Sequence, residues 1–209
     1  MRRIVLAVVI ACCAGACSSG GGGDASSSST TTSAPPGATA AGASADPTCN
    51  GFRGATRSLS STGERPAALL TAAQAEAVGC LDRVAFTFQS LGNGLPPGYS
   101  VSYQDLEKEP LKDGDTQLSP PPGSAYLVVV ITPAASTDTS DPAHPVQTYK
   151  GNLRLSYGDV HHLDSVVKQP DVTDDKGVTS VRWVIGLDST RPFLVDSAMN
   201  PTRVSIYIG

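Results

Sequence analysis

Apolar and polar residues alternate along several short stretches of the chain. Val84, Phe86 and Phe88 fall on one side of an extended segment, with Arg83, Ala85 and Thr87 on the other. Leu95-Pro96-Pro97-Gly98 reads as a turn. Tyr99, Val101 and Tyr103 then alternate again. Ala125 to Ile131 is a continuous apolar run with a β-branched centre, which predicts a strand buried on both faces. Pro133 ends that run. Val181, Trp183 and Ile185 form a third alternation, with Val184 on the opposite face. Phe193 with Val195, then Val204, Ile206 and Ile208, predict two closing strands. Pro192 and Pro201 stand before and between them, where proline is tolerated. Many short strands with Gly and Pro punctuation predict an all-β fold, a sandwich or open barrel of antiparallel strands. One stretch is ambiguous. Pro66 to Val78 has high helix propensity, and Gly79 could cap a helix there.

The N-terminal pattern is different. Arg2 and Arg3 precede Ile4 to Ala16, thirteen residues without a charge. A bilayer needs about twenty. A basic start and a short apolar core predict a secretory signal over residues 1–16. Ala14-Gly15-Ala16-Cys17, followed by Ser18-Ser19, resembles the lipobox of bacterial lipoproteins, with Ala14 where that motif has Leu. The resemblance implies cleavage before Cys17 and lipidation of its sulfur. Cys12 and Cys13 are rivals with bulkier upstream neighbours. Ser18 to Pro47 is Ser, Thr, Ala, Gly and Pro with two aspartates and no aromatic residue. Such a segment cannot bury enough surface to offset its ordering entropy, so residues 17–47 read as a lipidated Cys and a disordered linker. Its reach is roughly 30 Å. Residues 48–209 are left as the folded head.

Composition narrows the possibilities. A net charge of −4 and a pI near 5.2 give no bulk electrostatic case for nucleic acid. One Trp and four Phe leave few large anchors. Cys49 and Cys80 are the two Cys of the head, and an exported compartment favours a disulfide between them, worth about 3 kcal/mol. A reactive thiol or metal site is the alternative, although no CxxC is present.

The order of several segments resembles the AMIN-like domain of actinobacterial lipoproteins and exported proteins. The matching pieces are Cys80 to Phe88, Leu95 to Tyr103, Gly123 to Val129, Trp183 to Asp188, Arg191-Pro192-Phe193 and Asn200 to Val204. The resemblance runs from about Cys49 to Gly209. It implies that about Leu69 to Glu76 is a strand paired with the Asp82-Arg83-Val84 strand, against local propensity. It also implies a Cys in both positions occupied by Cys49 and Cys80. The related AMIN domain accompanies amidases and secretins of the cell envelope. There it is a non-catalytic β-sandwich that locates its host, by binding the cell wall.

Chemistry-bearing clusters are sparse. No nucleophile elbow, zincin helix, P-loop or dinucleotide fingerprint occurs. His161-His162 with Asp159 and Asp164 is the one group with metal-ligand composition, but adjacent His on a strand face opposite ways, and a solvated loop is expected. His144 stands alone. Asp113-Gly114-Asp115 begins like a calcium loop and then departs, with Leu118 and Ser124 where that loop needs Gly and Glu. Asp171, Asp174 and Asp175 before Gly177 read as a solvated turn, as do Asp138 and Asp141. Tyr99 and Tyr103 could stack on sugar rings, and such a stripe is more often core. A non-enzymatic binding module is expected, with no cofactor and no metal; a hydrolase with an unrecognised site is the remote alternative. It would be lipid-anchored to the outer face of the cytoplasmic membrane and face the cell wall. Peptidoglycan or an envelope protein would be its partner, the latter through a strand edge.

Overall fold

The computed structural model describes residues 51–61, 63–92 and 94–209. The predicted signal, Cys17, the linker and Cys49 lie outside them. Fifteen strands occur among the described residues: β1 (Leu59–Ser60), β2 (Ala68–Val78), β3 (Leu81–Ser90), β4 (Gly98–Gln104), β5 (Lys112–Asp113), β6 (Thr116–Gln117), β7 (Ala125–Thr132), β8 (Ala134–Ala135), β9 (Thr137–Asp138), β10 (Val146–Gln147), β11 (Leu163–Lys168), β12 (Val172–Thr173), β13 (Thr179–Leu187), β14 (Phe193–Met199) and β15 (Thr202–Ile208). Two sheets carry the fold. One has the order β14-β15-β3-β2-β8, and the other β1-β4-β7-β13-β11 with β12 also on β13. All pairs in them are antiparallel except β2 with β8. The chain changes sheets at Pro133, between β7 and β8.

The predicted alternations face a shared core. Val84, Phe86, Val204, Ile206 and Ile208 meet Leu127, Val129, Val181, Trp183 and Ile185 across the interior. Trp183 lies 5.1 Å from Phe86 and 5.8 Å, edge-on, from Tyr149 by ring centroid. Val128 and Val184 point out of the other side of their sheet and are also buried, because Leu106 and Leu111 cover them. That cover comes from the segment between β4 and β7, which includes the β5–β6 hairpin. The central run is thus buried on both faces, as its composition predicts.

The ambiguous stretch is strand β2. Its pairing with β3 slips between Leu70 and Ala72, so Leu70, Ala73 and Ala75 meet Phe88, Phe86 and Val84. A bulge at Thr71 therefore puts a three-residue step into an alternating strand, which imitates helical spacing. Gly79 caps no helix. It is the first residue of the two-residue turn joining β2 to β3 and has φ +62°, a conformation Gly adopts without steric cost.

One polar side chain occupies the core side of β3. Asp82 is in phase with Val84 and Phe86 and is fully buried. Both of its carboxylate oxygens accept hydrogen bonds from the segment that leads into β11 in the opposite sheet. His161 N donates at 2.8 Å and 3.1 Å, His162 N at 2.6 Å and Leu163 N at 3.1 Å. Replacing Asp82 by Ala removes the acceptor of three amides at once. A loss of about 3 kcal/mol or more is expected in urea unfolding, since such bonds involve a charged partner. A loss below about 1 kcal/mol would show that other contacts hold this loop.

Candidate functional site

At one end of the sandwich the segment before β2, the β7–β8 junction and the β12–β13 turn converge. Two depressions adjoin there. One of about 600 Å³ is lined by Arg65, Gly98, Tyr99, Ser100, Pro133 and Val178. The other, of about 380 Å³, shares Pro133 and Val178 and adds Leu69, Leu91 and Asp138. Leu91 and Val178 are among the exposed large apolar side chains. Apolar walls with a few polar groups suit a ligand cleft.

Local structure fixes two of those groups. Ser61 holds the start of β4: its N–H donates to Tyr99 O at 3.0 Å, and its Oγ accepts from Tyr99 N at 2.8 Å. Gly98 leaves room for the close approach of the Thr132 carbonyl, with Arg65 in ordinary contact beyond it. A Cβ there would lie 2.5 Å from Thr132 O and 3.5 Å from Arg65 Cγ. The Arg65 Nε is buried and has no hydrogen-bond partner among the described residues. No ion pair of Arg65 occurs among them either. Burial holds the Tyr99 phenol above its ordinary pKa of 10, and the nearby Arg65 charge pulls it the other way. An aromatic face beside an unpaired guanidinium can take a ring together with an anionic oxygen.

Tyr103 differs from Tyr99. Its hydroxyl donates to Arg191 O at 2.7 Å and accepts from Arg191 N at 2.8 Å, and its ring packs edge-on against Phe193. Both rings pack against the core, and Tyr99 also lines the cleft. Arg65 has no counterpart among the sequence-derived candidates. It lies in a loop without periodicity, directly after Glu64, which lines the same depression, so its charge gives no separate signal in the sequence.

Of the other candidates, Asp138 borders the smaller depression, and the rest do not reach the cleft. His161 donates from Nε2 to Gly79 O at 3.1 Å, and His162 Nδ1 lies 3.4 Å from Asp188 Oδ2. The pair therefore meets Asp82 through its backbone and Asp188 through a ring. Asp159 and Asp164 stay exposed. No group of three or more potential metal ligands occurs among the described residues. Asp113 and Asp115 flank the hairpin turn at Gly114. Asp138 accepts from Ser140 N at 2.9 Å, and Asp141 accepts from Ala143 N and lies 2.9 Å from His144 Nδ1.

Asp171 departs from the expected solvated turn. It accepts from Ser136 N and Oγ at 2.6 Å and from the buried Lys168 Nζ at 2.6 Å. An aspartate that is the counter-ion of an inward-pointing Lys cannot be told from a turn Asp by its neighbours in sequence. Asp174 does keep the turn role, accepting from Lys176 N and Val178 N. Asp175 is exposed in the same turn.

Arg191, with His162 and Ser189, holds the Asp188 carboxyl far below its ordinary value of 3.8. The folded protein thus binds that proton less tightly than the unfolded chain. The resulting stability is present above pH 3.8 and is lost as the pH falls below it. Asp188 is 39% exposed, so solvent screens the pair. Asp188→Asn should cost about 0.5 kcal/mol at neutral pH. The difference from the parent should shrink in unfolding curves taken at progressively lower pH. A constant difference would exclude this ion pair as its source.

No curated protein matches the chain, and no solved structure does. A family match spans residues 68–209, from the first residue of β2 to the last residue of the chain. It leaves out β1 and begins later than Cys49. Over that length the chain belongs to the AMIN-like domain family.

Proposed function

We propose that the protein is a non-enzymatic binding module of the cell envelope, anchored by a lipid on Cys17 and contacting peptidoglycan. The unpaired Arg65 guanidinium beside Tyr99 is the observation that carries the reading. Peptidoglycan offers both matching chemistries, sugar rings for Tyr99 and peptide carboxylates for Arg65. Family membership supports an envelope role. The roles of the three His support a binding protein over an enzyme: each ring or backbone serves to fasten a loop. A disulfide between Cys49 and Cys80 would tie the start of the head to the β2–β3 turn. The mechanism is tethered recognition. The lipid fixes the base, the linker gives reach, and a high local concentration of wall lets weak intrinsic affinity suffice. Two acyl chains would give stable anchoring.

The test is co-sedimentation of residues 48–209 with purified sacculi, with and without attached polymers. Saturable binding to both is expected. Arg65→Gln should weaken it about tenfold, the worth of one charge-assisted hydrogen bond. Tyr99→Leu should weaken it further at preserved folding. No sedimentation of the parent would overturn the wall reading. Equal binding by parent and variants would move the site elsewhere.

Anchoring has its own readout. Cys17→Ser should move the protein from the membrane fraction to the soluble fraction of fractionated cells. Retention in the membrane would sink lipidation at Cys17.

A further inference from the structure

Among the described residues, the edge of one sheet is open along β14 beyond Phe193. Phe193 exchanges both of its backbone hydrogen bonds with Ala55, at 2.9 Å each. On the other side of the strand, Gly209 N donates to Pro192 O, so the hydrogen-bonded pairs with β15 fall at Leu194, Asp196 and Ala198. Val195 and Ser197 therefore present their N–H and C=O groups outward, as does the Met199 N–H, while Met199 O accepts from Thr202 Oγ1 at 3.1 Å. None of these groups has a backbone partner among the described residues. Ladder partners cover β11, one of the two end strands of the other sheet: Leu155 N donates to Val166 O, and Lys168 N donates to Leu153 O. Beyond Phe193, Asp196 is the one usual edge protection that β14 carries. It contains no Pro, no Lys and no register shift against β15.

We propose that this edge pairs with the same edge of a second copy, antiparallel, about a two-fold axis at Ser197. The sequence is self-complementary in that register. Ser197 faces Ser197 of the partner subunit, and Val195 faces Met199 of the partner subunit. All outward N–H and C=O groups from Val195 to Met199 then find partners. Met199 is 55% exposed in the single chain, and the pairing covers it with a half-buried Val. Charge fits as well. Asp196 and Arg203 lie on the outer face of the sheet, and neither forms an ion pair among the described residues. The Arg203 Nε is buried without a hydrogen-bond partner. Arg203 stands directly beside Ala198 in the β14–β15 ladder. In the dimer Asp196 of the partner subunit stands on the far side of Ala198, whose small side chain leaves the guanidinium a path across. The symmetry creates this pair twice. The inference stands independently of the wall-binding reading.

An edge-to-edge contact of this length is small beside a standard interface, so it is weak in free solution and gains from confinement to a surface. The test is disulfide trapping with the full chain in membranes. Ser197→Cys places two thiols at hydrogen-bonded positions of an antiparallel pair, where Cα atoms lie about 5.5 Å apart, within disulfide range. Mild oxidation should give a covalent dimer with Ser197→Cys and not with Thr173→Cys, exposed on β12. Adding Asp196→Arg should reduce trapping about fivefold, and Arg203→Asp in the same chain should restore it. Equal trapping at Ser197 and Thr173 would overturn the proposal. Efficient trapping at Ser197 that ignores the charge reversal would overturn the register.

Discussion

Placing a charged group against a hydrophobic interior is costly unless its lone pairs are engaged. Asp82 imposes that condition on both sheets at once. It sits on the core side of β3, and its acceptors can be filled only by the backbone that leads into β11. Satisfying it fixes where that segment enters the second sheet. It also orients His161 toward the β2–β3 turn and His162 toward Asp188. The register irregularity between Leu163 and Ser165 falls directly after the last of these bonds. A purely apolar residue at this position would fill space without specifying the neighbouring loop.

The sequence makes the strongest alternations legible because they are core strands with one clear inner face. Val84 to Phe88, Val181 to Ile185 and Val204 to Ile208 are read directly. Two features were hidden for stated reasons. The bulge in β2 gives Leu70 and Ala73 a three-residue step that suits a helix as well as a bulged strand, and the Ala-rich composition favours the helix. Strand β11 carries Asp164 and Lys168 within six residues, so its pattern is interrupted. Its Lys points inward because Asp171 neutralises it, a pairing that depends on the path of the chain. The meaning of Asp82 was available. It keeps the phase of Val84, Phe86 and Phe88, and an in-phase Asp in a buried strand signals a structural carboxylate.

The candidate cleft was less legible than the fold. Tyr99 belongs to a stripe with Val101 and Tyr103, and the stripe by itself describes a core. The two tyrosines separate only when the strand is placed at a sheet end. Tyr103 then meets the segment before β14, and Tyr99 meets the open end beside Arg65. Loops bring Arg65, Pro133 and Val178 together from widely spaced positions. Periodicity holds no information about such meetings.

The place of β15 in its sheet bears on how the molecule can form. β15 is the final strand of the chain, yet it lies between β14 and β3 and supplies Val204, Ile206 and Ile208 to the core. Its partner β3 is more than a hundred residues away in sequence. The β2–β3 hairpin is local and can form early, but the free edge of β3 has no ladder partner until β15 has been made. Closure of such a long loop is entropically costly and slow. A growing chain therefore cannot close this sheet before β15 has been made, however early the hairpin forms.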